Sequence, residues 1–187
     1  MMKRSIVLLF SAACLAASGF GQDPPAVNKA EAHRLSAALA RLEKAEPSPS
    51  LRPMEFSESE LNAYIARRLE ESREDVLRDL RLKLYSDNRI EGWLELDFSG
   101  HRIPPWIKKR MNLYFAGSIE VRDGSVRFGF KKLFLEKEPM PLLMLDMIIF
   151  IASGLGKTDA KGIDDWHNLP LGIRDVKTGP GRFTLWY

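Results

Sequence analysis

The chain has three histidines, His33, His101 and His167, and one cysteine, Cys14. These, with the acids, are the side chains from which a metal site or a nucleophilic centre would be built. The densest cluster is Asp164-Asp-Trp-His167. A structural or catalytic metal needs three or four donors converging on one point. Adjacent residues on an extended chain point apart, and no second donor group has matching spacing. The run therefore reads as a solvated loop with Trp166 turned inward, and the histidines are expected on a helix, a loop and a loop.

Ser153-Gly-Leu-Gly-Lys-Thr158 ends like a phosphate-binding loop. That motif requires a glycine five residues before the Gly-Lys-Thr glycine, where this chain has Ile151. It must also follow a strand and open a helix. Here it closes an apolar helix, so Gly154 is expected as the helix cap. No Gly-x-Ser-x-Gly elbow is present, and the acids Glu70-Glu71 fall on the wet face of a helix. The chain reads as non-catalytic, with no metal site and no cofactor.

A different chemistry is offered by Arg102-Ile-Pro-Pro-Trp-Ile-Lys-Lys-Arg110. One reading is an ordinary loop whose tryptophan packs on the body. The sharper reading is a membrane-contact tip formed by Trp106, Ile107, Lys108, Lys109 and Arg110. In it the ring sits at headgroup depth and the cations meet anionic lipid.

The segments that position these residues begin with a processing signal. Met1-Met-Lys-Arg4 is basic, Ser5 to Ala17 is apolar, and small residues run to Gly21. That is the layout of a secretory signal peptide over residues 1–21. The protein is expected to be exported, to the periplasm or the extracellular space. Ser11-Ala-Ala-Cys14 loosely resembles a lipoprotein box, but apolar residues continue past the cysteine, which favours simple secretion. The formal net charge of +3 over 187 residues falls to +1 when Lys3 and Arg4 leave. That balance gives nucleic acid little to bind.

Residues 22–55 read as an N-terminal helix over Ala26 to Ala45, followed by a proline-rich linker or crossing strand. Prolines remove backbone donors and disfavour helix before them. Residues 56–187 form the main domain. Ser57-Glu-Ser-Glu60 is a capping box with Phe56 and Leu61 at the staple positions, opening a helix that runs to about Ser72. The hydrophobic period then changes from 3.6 to 2. Leu80, Leu82 and Leu84 alternate with polar residues, Ser86-Asp-Asn-Arg89 turns the chain, and Ile90 to Phe98 resumes the alternation. A second hairpin pairs Leu113 to Val121 with Val126 to Phe130 across Asp123-Gly124, and a last one turns at Thr178-Gly-Pro-Gly181. The fold class is α+β, with a long curved antiparallel sheet of hairpins wrapped on one or two helices.

One segment stands apart. Between Leu142 and Ala152 the only polar side chain is Asp146. Spanning a bilayer takes about 20 apolar residues, so this helix, expected over Pro141 to Ser153, covers the apolar face of the sheet instead. Whether it fills a core or walls a cavity is left open by its composition.

The capped helix Phe56-Ser-Glu-Ser-Glu-Leu-Asn-Ala-Tyr64 resembles the LN-x-Y helix of small bacterial extracytoplasmic relatives of the tubular lipid-binding (TULIP, BPI-like) superfamily. Gly117-Ser-Ile-Glu-Val-Arg-Asp-Gly124, Pro139-Met-Pro-Leu-Leu143 and Leu169-Pro-Leu-Gly-Ile173 are similar to segments of the same proteins. The resemblance covers roughly residues 56–187. It implies a curved sheet wrapped on a long helix, a lipid-binding groove between them, and a carrier of acyl chains. Helical spacing of Leu142, Leu145 and Ile149 places them opposite Leu82, Leu94, Leu96, Phe115, Ile119 and Phe128, the expected groove lining. The alternative is a cystatin- or NTF2-like α+β module that packs the same residues as a core and binds protein on its surface. A carrier needs a cavity of roughly several hundred cubic ångströms, and a packed core has none.

Overall fold

The period-two runs become long strands, and the chain folds around their apolar side. The structure is a computed structural model that describes residues 29–44, 50–72, 76–105, 107–156, 164–169 and 172–187. The expected signal peptide, with Cys14, lies outside the described residues, as do Trp106 and the Lys157-Thr158 end of the phosphate-loop-like run. Helix α1 spans Lys29–Leu42, strand β1 Pro53–Ser57, helix α2 Glu58–Ser72, and strands β2 to β5 cover Leu77–Leu84, Arg89–Asp97, Arg110–Arg122 and Ser125–Leu135. Then come the short strand β6 (Glu138–Pro139), helix α3 (Leu142–Gly156), the short strand β7 (His167–Asn168), and the hairpin of β8 (Asp175–Gly179) and β9 (Arg182–Trp186).

The fold is α+β, with a strongly curled antiparallel half-barrel and, among the described residues, three helices. Its main sheet has the order β2-β3-β4-β5-β6, with β7 pairing the far end of β5, and a separate three-stranded sheet has the order β1-β9-β8. Tight turns permit the hairpins: Asp87 and Asn88 (φ 60° and 57°) and Asp123 and Gly124 (φ 51° and 70°) adopt the left-handed geometry that matches strand twist.

The sheet curls where its regularity breaks. Between Ala116 and Gly117 the β4–β5 register slips by one residue, so Lys131 is unpaired and Lys132 faces Ala116. A bulge of this kind bends the strand and increases its twist. It also exchanges the inward parity of β5: Val126 and Phe128 are buried before the slip, Leu133 after it. Gly117 lies at the slip, and an added Cβ there would come 1.7 Å from the Gly129 carbonyl oxygen.

The N-terminal segment is part of the same body. Leu35 and Leu42 of α1 join the core cluster, and β1 pairs with β9, Phe56 lying opposite Phe183. The boundary expected at residue 56 thus falls inside a strand, and the linker's last residues are that strand. Phe56 and Phe183 stack with ring centroids 5.4 Å apart.

The capping box forms as expected. The Ser57 N–H donates to Glu60 Oε2 at 2.7 Å, and the Glu60 N–H donates to Ser57 Oγ at 3.1 Å. Burial pushes the Glu60 carboxyl up, but donors from Ser57 and Arg34 outweigh it and leave the group below its ordinary range. Arg34 Nη1 reaches Glu60 Oε1 at 2.7 Å, tying α1 to the cap of α2.

Candidate functional site

The concave side of the half-barrel is built by strand alternation. Leu80, Leu82 and Leu84 of β2, Ile90, Leu94 and Leu96 of β3, Met111, Leu113, Phe115 and Ile119 of β4, and Val126, Phe128 and Leu133 of β5 are all buried. The register sets them side by side: Leu94 pairs Leu113, Phe115 pairs Leu133, and Ile119 pairs Phe128. Phe130 meets Phe128 edge-on at 4.5 Å and Phe115 at 6.2 Å, the tilted contacts that ring quadrupoles favour.

Helix α3 contributes to the same apolar cluster. Leu145 and Ile148 are buried (3% and 2% exposed), and Leu142 and Ile149 pack against the cluster. All nine residues expected to line a groove therefore belong to one apolar body. Ile148, Leu113 and Leu133 belong there too. Ile148 lies three residues after Leu145, and Leu113 shares the parity of Phe115, so both were within reach of the pattern. Leu133 was hidden by the bulge. Helix α3 has 15 residues, about 22 Å at 1.5 Å per residue, and no described helix is long and apolar enough to cross a membrane.

Several expectations are corrected. The helix does not stop at Gly154 but continues to Gly156. Glycine inside a helix costs only about 1 kcal/mol. The Gly-Leu-Gly run is the last turn of a helix, not a loop that opens one. Ile107, expected at an exposed membrane tip, is 6% exposed and belongs to the core cluster. Its neighbours Lys108, Lys109 and Arg110 are exposed. Arg110 Nε donates to Asp97 Oδ2 at 3.1 Å. The apolar component of that tip is thus drawn inward at residue 107.

His167 is in strand β7, paired with Val126 and buried, rather than in a loop. Trp166 is half-buried under Arg127, whose guanidinium lies 5.0 Å from the ring centroid. His33 is exposed on α1 and His101 is half-buried in the β3–β4 loop. Among the described residues no three His, Cys, Asp or Glu side chains come together to hold a metal ion.

The half-barrel has an edge at β2, and α2 closes it with polar side chains. Asn62 Nδ2 donates to the Leu82 carbonyl at 2.8 Å, and the Leu82 N–H donates back to Asn62 Oδ1 at 2.8 Å. The Leu84 N–H donates to Glu58 Oε2 at 2.6 Å, and its carbonyl accepts from the Gly181 N–H at 3.0 Å. Burial pushes the Glu58 carboxyl up, opposed by the Leu84 N–H. An open edge would invite pairing with another chain; Asn62 instead presents an amide that acts as one more residue of a neighbouring strand. This gives Asn62 a physical purpose. The Thr178 hydroxyl donates to the Tyr85 carbonyl at 2.7 Å, which docks the β8–β9 hairpin on the β2–β3 turn.

The arrangement is a buried apolar cluster inside the half-barrel, closed at the β2 edge by α2 and joined by Leu145 and Ile148 of α3. Comparisons of the chain with models of known families, with curated proteins and with solved structures find no match.

Proposed function

We propose that the protein binds the acyl chain of a lipid between the concave face of the half-barrel and α3, and acts as a non-catalytic carrier of the TULIP-like kind in an exported setting. One observation carries this reading. Helix α3 buries Leu145 and Ile148 in the apolar cluster while exposing Leu143, Met144 and Met147. A helix apolar on both its inner and outer sides is unusual for a mere lid on a core. Its inner stripe, Leu145 and Ile148, suits an element that can exchange side-chain contacts for contacts with a lipid chain. The expected lining, Leu82, Leu94, Leu96, Phe115, Ile119, Phe128, Leu142, Leu145 and Ile149, offers no charge to a ligand, which matches a hydrocarbon chain.

A second reading rests on an equally specific observation. Leu82, Leu94, Phe115 and Phe128 are each only 2% exposed, as in the packed core of a cystatin- or NTF2-like interaction module. Leu145→Trp separates the two. In a packed core the larger ring overfills the space and costs roughly 1–3 kcal/mol. In a groove the ring occupies volume that the ligand used, so stability holds and uptake of a fluorescent fatty acid falls. A destabilised variant beside a wild type that takes up no lipid would discard the carrier reading.

A further inference from the structure

Four large apolar side chains stand out among the described residues as exposed, and three of them lie on the first two turns of α3. Leu143 is 71% exposed, Met144 36% and Met147 42%. Their spacing places them on one stripe, turned away from Leu145 and Ile148. Pro139 and Pro141, immediately before the helix, are exposed as well. The corner is fixed to the sheet, because the Met140 N–H donates to the Leu133 carbonyl at 2.9 Å.

Exposed lysines lie on the strand and turns that lead into this corner. The β4–β5 bulge leaves Lys131 and Lys132 exposed side by side just before Leu133, and Lys137 is exposed in the β5–β6 turn. The Glu136 N–H donates to the Asn112 carbonyl at 2.8 Å, which brings that turn against the start of β4. The exposed Lys108 and Lys109 lie just upstream of it. The acids here are fewer. Glu136 accepts the Asn112 N–H at 3.0 Å, Glu138 is exposed, and Asp146 is half-buried on the helix.

An apolar ridge with lysines leading into it has two natural partners. A protein partner is anchored by aromatic or arginine side chains in pockets, and here the exposed apolar groups are a leucine and two methionines on one helix face. A bilayer accepts such a ridge: leucine and methionine enter the acyl boundary while lysines meet anionic headgroups. We propose that the β6–α3 corner, with Leu143, Met144 and Met147 flanked by Lys131, Lys132 and Lys137, seats the protein on an anionic lipid bilayer. This inference rests on the lipid-binding reading, for which it names the surface where lipid is exchanged. It also moves the apolar part of the contact from Ile107, which is buried, to α3.

The test is co-sedimentation with vesicles of phosphatidylcholine alone and of phosphatidylcholine mixed with phosphatidylglycerol. The wild type is expected on the anionic vesicles only, and less so as salt is raised. Each lysine near an anionic surface favours binding by roughly fivefold. Lys131→Gln, Lys132→Gln and Lys137→Gln together should therefore weaken partitioning on the order of 100-fold. Leu143→Ser with Met147→Ser should abolish it, leaving uptake of a soluble fluorescent fatty acid as in wild type. Equal partitioning of wild type and both variants would overturn the proposal, as would a wild type that stays in solution. So would a dimer that the serine variant converts to monomer without any vesicle binding, which would assign the ridge to a second copy of the chain. Vesicle binding without fatty-acid uptake would remove the groove reading and leave the docking surface standing. Uptake without vesicle binding would do the reverse.

Discussion

Replacing Asn62 with alanine removes the side chain that closes the β2 edge. Two hydrogen bonds, both 2.8 Å, disappear from the Leu82 peptide groups. Leu82 is itself 2% exposed, so water reaches the freed groups poorly. An intramolecular hydrogen bond contributes about 0.5–1.5 kcal/mol, and a buried group left without a partner costs about 1–3 kcal/mol. With partial rehydration of a strand edge, the loss should total about 2–4 kcal/mol. Urea unfolding followed by circular dichroism measures it, provided the slope with denaturant is unchanged. Asn62→Leu keeps the volume and removes the amide, so it should lose nearly as much. If leucine restores wild-type stability, packing rather than hydrogen bonding holds α2 on the edge. A loss below about 0.5 kcal/mol in the alanine variant, half the usual worth of one such bond, would equally refute the reasoning.

Gly117→Ala should cost about 3 kcal/mol or more, because its Cβ would lie 1.7 Å from the Gly129 carbonyl oxygen and 2.7 Å from Phe128 Cζ. The same urea assay checks this, and a loss under about 1 kcal/mol would mean that the bulge can shift to admit a methyl group. Asp97 is held at about 2, below its ordinary value of 3.8, by the Ser99 hydroxyl and N–H and then by Arg110, against the effect of burial. A carboxyl depressed in the folded state stabilises above its unfolded value. That contribution should be present above about pH 4 and fade as the pH falls toward about 2. Urea midpoints taken through that window should fall less steeply in Asp97→Asn than in wild type.

Elements whose causes are local were legible before the structure. The Ser57 to Glu60 cap, the Asp123-Gly124 turn and the alternation through Leu80 to Phe98 each depend on residues a few positions apart. What escaped depends on distant partners. The proline-rich segment was open between a linker and a crossing strand, and β1 forms because β9 pairs with it. The bulge at Lys131 turns Leu133 inward against the parity of Phe128. No pattern within β5 separates that from a strand ending at Phe130. Ile107 was placed outward because its neighbours are cations, although in irregular backbone adjacent side chains take opposite directions. Glycine often stops a helix, yet Gly154 lies within the last turn of α3. For the candidate site, the stripe of Leu142, Leu145 and Ile149 and its strand partners came from spacing alone. Asn62 drew notice only within the LN-x-Y resemblance, and its bond to Leu82 spans twenty positions, beyond the reach of local pattern.

The central proposal is that a lipid chain binds between the concave face of the half-barrel and α3. The most direct measurement is native mass spectrometry of the protein purified without detergent. The predicted result is the mass of the chain plus discrete adducts of lipid mass, which organic extraction removes and which Leu145→Trp diminishes. A bare polypeptide mass, unchanged after incubation with fatty acid or phospholipid, would contradict it.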